Sequence, residues 1–435
     1  MNRKILRLAI PNIVSNLSVP LLGAVDTAVV GRLEHVYFLG AIAVGSIIFD
    51  FIFWGFGFLR MGTTGMVAQA YGAKQERRTR IILMRVLIVA GFSSILILLL
   101  QYPIIETSLY LINASPEVEE YTRLYYHIRI FAAPATLALF GINGWFLGMQ
   151  NSTYPMIITI FLNVANIILN LIFVFKFNMT VDGVATGSLV ASFLGLALAL
   201  FLYKKKYGGV KLNISLKELI EPKELRQFFT VNRDIVIRTL CLIFSYAFFT
   251  AKSAEMGDVI LAANTILLQM WYISSYGTDG FAFAAESLVG RFKGAGDLIK
   301  LKQAVKANML WGIGLGLLGT TVYALFDTEI IALFTNKEQV ISVAATVVIW
   351  LIVAPIVNSV CFIWDGVYIG ATATAAMRNS MLLATALFFV PVYYISEPFV
   401  GIHALWMAMT AFMVIRGVAL TLYAPSQIFS TFPGK

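Results

Sequence analysis

The chain has 435 residues, of which 59% are hydrophobic and only 13% charged, and its mean hydropathy is +0.82. A water-soluble domain carries roughly 25% charged residues, so a surface this poor in charge must face lipid, and a large soluble domain is excluded. The net charge of +9 sits in short gaps between apolar runs, which fits the retention of basic residues on the inner membrane face and argues against a nucleic-acid surface.

In chain order, apolar runs occupy about 8–30, 38–70, 81–105, 121–148, 153–175, 183–203, 228–251, 259–290, 304–326, 341–370, 376–396 and 401–423. A crossing needs ~20 apolar residues, and hydrocarbon offers backbone groups no partners, so each run must be helical. The fold class read from this is an all-α integral membrane protein of twelve transmembrane helices embedded in the lipid bilayer. Arg3, Lys4 and Arg7 before the first run resemble the start of a signal peptide, but no small-residue cleavage site closes it and the run continues past Asp26. An uncleaved first helix is therefore expected. Pro11, Pro20, Pro134 and Pro355 mark expected kinks.

Lys and Arg set the expected orientation. With both termini inside, the inner segments hold 21 of them, at the N-terminus, 74–80, 204–226, 291–306, Arg378 and Lys435. The outer segments hold Arg32, Arg123, Lys176, Lys252 and Lys337 only. That asymmetry places both termini in the cytoplasm.

The chain also repeats itself at an offset of 222: Ile13-Val14 match Ile235-Val236, Gly55 matches Gly277, and Gly72-Ala73 match Gly294-Ala295. Phe140, Gly144 and Gly148 likewise match Phe362, Gly366 and Gly370. Two pseudo-symmetric six-helix bundles follow, and an even helix number places both the same way up, as a parallel repeat. The expected organisation is an N-terminal lobe over 1–203, a basic cytoplasmic linker over 204–226 and a C-terminal lobe over 227–435. Two similar bundles of this kind are a transporter architecture.

Chemistry for catalysis is not in evidence: there is no P-loop and no Gly-x-Ser-x-Gly elbow. His35, His127 and His403 are scattered, and Cys241 and Cys361 lie inside apolar runs, so neither a metal site nor a disulfide framework is expected. With no nucleotide site and no cofactor, an ion gradient is the expected energy source.

The informative residues are ionisable groups inside apolar runs, which are costly there and suspect of function. Asp26 is the strongest, in Val19-Pro20-Leu21-Leu22-Gly23-Ala24-Val25-Asp26-Thr27 with no basic residue within one turn. Burial without a cation raises a carboxylate's affinity for protons, so Asp26 is a candidate proton carrier, the alternative being a structural Asp paired with a distant Arg. On the fifth helix Asn163, Asn166 and Asn170 recur at i, i+3 and i+7 and share one face. They are placed either to serve Asp26 or a cation, or to glue helices together. Asp279 and Glu286, seven apart, and Asp50 and Asp365 are weaker candidates, because Arg60, Arg129, Arg233, Arg238 and Arg416 are available as structural partners. Asp365 matches Asn143 in the repeat.

At these residues the sequence resembles the multidrug and toxic compound extrusion (MATE) family, specifically its DinF-type branch, over nearly its full length. The resemblance is carried by Ile10-Pro11-Asn12 through Asp26-Thr27-Ala28-Val29-Val30-Gly31-Arg32, by Phe58-Leu59-Arg60-Met61-Gly62-Thr63-Thr64-Gly65, and by Gly144-Trp145-Phe146-Leu147-Gly148-Met149. In the second half it is carried by Asp279-Gly280-Phe281-Ala282-Phe283-Ala284-Ala285-Glu286 and Asp365-Gly366-Val367-Tyr368-Ile369-Gly370-Ala371-Thr372. The resemblance implies cation-coupled export of amphipathic organic cations by alternating access of two lobes, with the first-helix acid, here Asp26, as coupling site. Relatives often place an Asp four residues after the fifth-helix Asn; this chain reads Asn166 and Asn170 instead. That tilts the expected coupling ion from Na+ toward H+. Asn143, Arg129, Ser188 and Ser192 are further candidates in the same lobe. A bacterial inner membrane and a monomer are expected. The competing readings are a Na+-coupled exporter and a lipid-linked oligosaccharide flippase of the same superfamily, for which fourteen helices and a strongly cationic cavity would be expected.

Overall fold

Helix formation in this chain follows from its apolar runs, and the computed structural model describes them over residues 1–33, 35–209 and 214–430, with the side chains at 21, 22, 24 and 26 outside the described part. The first helix, α1, is Asn2–Val30. Eleven further helices among the described residues are long and apolar enough to cross a membrane. Six of these are α2 Val36–Gly72, α3 Glu76–Leu99, α4 Pro116–Gly148, α5 Thr153–Lys176, α6 Val181–Tyr207 and α7, whose main part is Pro222–Glu255. The rest are α8 Asp258–Gly294, α9 Leu298–Phe334, α10 Glu338–Gly370, α11 Thr374–Val400 and α12 His403–Phe429. This is the twelve-helix membrane architecture expected from the sequence.

Of the four prolines expected to kink helices, Pro134 stands just after a 3₁₀ turn over Ile130–Ala132 that interrupts α4. α1 remains helical through Pro11 and Pro20, and α10 through Pro355. The sharpest internal departure instead falls at Phe326 in α9, with φ −132° and ψ 25°, where no proline stands. Next to it Asp327 Oδ1 accepts from the Thr328 backbone N–H at 2.7 Å and from its hydroxyl at 3.2 Å. A short polar side chain bonding its own backbone competes with the helical ladder. α2 breaks at Phe56–Gly57, and α5 ends in a π turn over Ile172–Lys176.

Packing divides the chain into two units: Val14–Val67 with Gln75–Leu225, and Met1–Ile13 with Ala68–Lys74 and the described part of Arg226–Lys435. In the first unit α2 packs on α4, α3 on α4, and α5 along α6. In the second, α8 and α9 pack on α10, and α12 packs on both α10 and α11 around Trp271, Trp406, Phe389 and Phe412.

The offset-222 repeat reappears as matched close contacts. A Cβ on Gly144 would run into the Arg60 carbonyl, and one on Gly148 would lie 2.9 Å from the Thr64 carbonyl. Correspondingly, Gly366 presses on the Ala282 carbonyl and Gly370 on that of Glu286. Each of these helices then ends in the same turn, with left-handed backbone at Gln150 (φ 62°) and Thr372 (φ 51°) and hydrogen bonds at equivalent positions. Only glycine lets two helix backbones approach this closely, which is how small residues drive packing in membranes. Gly144→Ala and Gly366→Ala should therefore each cost about 1–3 kcal/mol through overpacking, seen as a lower thermal midpoint in detergent. Gly91→Ala, where a Cβ meets nothing within 4 Å, should leave it unchanged.

The linker is tied to α3. Ser215 and Glu218 form a capping box on the short helix Leu216–Leu219. Arg77 grips the Glu218 carboxylate through Nε at 2.7 Å and Nη2 at 2.8 Å. That guanidinium, with the Ser215 amide and hydroxyl, holds the Glu218 carboxyl down at about 2. The buried Arg85 donates to the carbonyls of Glu218 at 2.7 Å and Leu219 at 3.0 Å, capping the helix end. Arg77→Ala should expose this segment, read as faster trypsin cleavage after Lys217; an unchanged rate would mean that Arg85 alone docks the linker.

Candidate functional site

α5 is amphipathic in the membrane sense, with its polar face turned inward. Asn163, Asn166 and Asn170 are buried, while Val164, Ile168 and Leu171 are exposed on the other side. Amides cannot be left facing hydrocarbon without partners, and these three find them on α1, on α6 and within α5 itself. Asn170 Nδ2 donates to Asn166 Oδ1 at 2.9 Å, and Asn166 Nδ2 donates to Ser188 Oγ on α6, also at 2.9 Å. One turn further, Ser192 Oγ donates to the Ser188 carbonyl at 2.8 Å. Gly187 makes room for this row, because a Cβ there would strike Asn170 Oδ1. Asn163 Nδ2 reaches α1, donating to Ser18 Oγ at 3.0 Å and to its carbonyl at 3.2 Å.

The Ser18–Asn163 contact sets α1 in register with the amide row. α1 and α5 are the first and fifth crossings and so run in the same direction. Asp26 lies eight residues beyond Ser18, ~12 Å along the axis, and Asn170 lies seven beyond Asn163, ~10.5 Å. The two positions therefore share a level. The side chain of Asp26 lies outside the described residues.

The other candidates separate into different settings. Asn143, on α4, has its Oδ1 buried without a hydrogen-bond partner among the described residues. Arg129 is held by aromatic groups: its guanidinium lies 4.8 Å from the Phe49 ring and 5.4 Å from that of Tyr125, and Nη1 donates to the Tyr125 hydroxyl. In the second unit Asp365 is claimed by two cations, since Arg238 Nη2 and Arg416 Nη2 both donate to its Oδ2, the latter at 2.7 Å. All three side chains are buried. Asp279 on α8 adds a further negative charge acting on Arg238, and Glu286 is buried two turns along the same helix.

Sequence reading missed Ser18 and Gly187, which need knowledge of which helices touch. A hydroxyl eight residues before Asp26 and a Gly-Ser pair on the sixth helix were the available signals. It also left Asp234 unassigned; this buried carboxylate accepts from Arg378 Nη1 at 2.8 Å, Arg233 Nη2 at 3.1 Å and Thr374 Oγ1 at 3.1 Å.

Comparison with known proteins decides the family. The MatE family model matches twice, over residues 11–172 and 235–395, once in each half of the repeat. The chain belongs to the MatE family. The MatE chain is 37% identical to the DNA damage-inducible protein F of Escherichia coli (strain K12), over 95% of its own length and 90% of that protein. It is 25% identical to a probable multidrug resistance protein NorM of Rhizobium meliloti (strain 1021), over 78% of its length and 73% of the relative. The Vibrio cholerae MATE transporter VcmN in its bent form shares the fold, with a TM-score of 0.87 at 20% identity, covering 98% of this chain and 97% of that one. This MatE chain is thus a multi-pass membrane transporter of the multidrug and toxin extrusion type.

The arginine pair makes Asp365 the centre of a buried charge set. Removing one partner from a buried charge set leaves the others uncompensated, at a cost of about 3–5 kcal/mol. Asp365→Asn should therefore lower the thermal midpoint of purified protein sharply. A variant that stays as stable as wild type would show that the two arginines do not depend on it.

Proposed function

We propose that this chain exports amphipathic organic cations in exchange for protons, by alternating access, with Asp26 carrying the proton and Asn166 and Asn170 as its amide partners. The reading places it as a monomer in a bacterial inner membrane with both termini in the cytoplasm. The observation that carries it is the neutral amide row at the level of Asp26. An amide both donates and accepts hydrogen bonds, so it serves a carboxylate and a carboxylic acid alike. The row lacks a second carboxylate, so it offers a metal cation amide oxygens but no further negative charge to neutralise it. Exchange further requires that proton and substrate favour different states of the carrier, because a ligand that binds both equally shifts nothing. A deprotonated Asp26 favours the state that accepts the cationic substrate, and protonation favours the state that releases it.

Inverted vesicles loaded with the full chain and given a fluorescent cationic dye test this. An imposed proton gradient should drive dye transport, a sodium gradient should not, and Asp26→Asn should abolish the response while the protein stays folded and inserted. Transport by Asp26→Asn at the wild-type rate, still responding to the proton gradient, would place the coupling site elsewhere. A wild-type response to sodium alone would replace the proton with Na+.

A further inference from the structure

Asp50 belongs to neither set of residues described above. It lies 14 residues into the apolar segment Val36–Gly55 of α2, ~21 Å along the helix axis, well inside a span that must cross ~30 Å of hydrocarbon. α2 packs inward through Phe38, Ala41, Ile42, Gly45, Ile48 and Phe49. Asp50 is on the opposite side, in a stripe with Ile47 and Trp54 at i−3 and i+4, and all three are exposed.

An ionised carboxylate turned into lipid at this depth is strongly disfavoured, so an ionised Asp50 requires the stripe to face a polar occupant, either water or a bound cation. Arg129 is the cation whose charge acts on Asp50. Its guanidinium nevertheless stays on the Phe49 and Tyr125 rings and on the Tyr125 hydroxyl, and no ion pair or hydrogen bond reaches Asp50 among the described residues. The outcome is a carboxylate with no ion pair or hydrogen bond among the described residues, with Arg129 as the nearby charge, beside an exposed indole inside the membrane span.

We propose that the Ile47–Asp50–Trp54 stripe of α2 is a contact site for the substrate, with Asp50 receiving the cationic centre of an amphipathic organic cation and Trp54 its apolar body. Arg129, occupied by its aromatic partners, leaves the carboxylate open to that ligand. A ring face next to a carboxylate is the pairing that recognises organic cations, through charge and cation–π attraction together. The assignment rests on the cation-export reading above and adds to it a residue that selects by charge.

The test is equilibrium binding to the full chain in lipid nanodiscs, with the monocationic dye rhodamine 6G and the uncharged dye Nile red. Asp50→Asn should weaken rhodamine 6G binding about tenfold, the scale of one charge contact, and leave Nile red unaffected. Asp50→Glu should restore most of the loss, and Trp54→Ala should weaken both dyes. Asp50→Asn binding rhodamine 6G as tightly as wild type, or losing both dyes equally, would overturn the assignment while leaving the export reading standing. Wild-type protein that binds Nile red but not rhodamine 6G would overturn the cation reading, and this assignment with it.

Discussion

Hydrocarbon supplies no hydrogen-bond partner, so every polar atom placed within the span has to be satisfied by another part of the chain or by water. The amides of α5 satisfy one another and the hydroxyls of α1 and α6. Trp406 Nε1 donates to Asn264 Oδ1, and Asn264 Nδ2 donates in turn to Ser253 Oγ, both at 2.8 Å. Tyr323 and Tyr368 donate their hydroxyls to the carbonyls of Met270 and Leu420. Several polar side chains within the spans therefore have partners that define contacts between helices. A single bond such as Asn163 to Ser18 fixes a register that apolar packing leaves loosely specified.

The repeat separates positions whose residue type recurs in both halves from positions where it does not. Glycines at the close crossings recur at offset 222, as do the turns that follow them. The functional candidates do not recur. Asp26 corresponds to Phe248, which packs against Phe389 and Tyr393, while Asn163, Asn166 and Asn170 correspond to Thr385, Phe388 and Val392. Conversely, the positions of Arg238, Asp365 and Arg416 are Asn16, Asn143 and Leu194 in the first half. One half carries a neutral amide row where the other carries a threonine, a phenylalanine and a valine, and the second half carries a fixed charge set where the first carries amides and a leucine. The backbone geometry is duplicated; the chemistry is not.

Much of the fold was legible because lipid makes it so. Continuous apolar length identifies a crossing, charge marks its ends, and glycine spacing exposes the repeat, all without knowledge of neighbours. Three things were not legible. The helical break at Phe326 arises from a local bond between Asp327 and Thr328, whereas proline, the residue usually blamed, leaves α1 helical. The pairing of Asp365 with both Arg238 and Arg416 joins α7, α10 and α12, and no sequence period encodes which helices meet. The docking of the linker onto Arg77 and Arg85 depends on a capping box four residues long, too short for periodicity to reveal. The amide row was visible as a stripe, but its partners Ser18 and Ser188 were a matter of helix adjacency.

The contrast between the two carboxylate settings explains why a coupling site would be built from amides. A carrier has to take up and give back its ion within each cycle, so its two protonation states must lie within reach of the gradient. The membrane potential supplies roughly 2.3 kcal/mol per charge per 100 mV, which is small beside the cost of breaking a buried ion pair. A carboxylate clamped by two guanidiniums, as Asp365 is, has partners that only donate and only carry positive charge, so they stabilise one of its forms alone. An amide offers N–H groups to the charged form and a carbonyl oxygen to the neutral one. In the exchange proposed for this chain, the Asn166–Asn170 row at the level of Asp26 keeps both forms accessible by that symmetry. The arginines of the second unit hold a fixed charge in place.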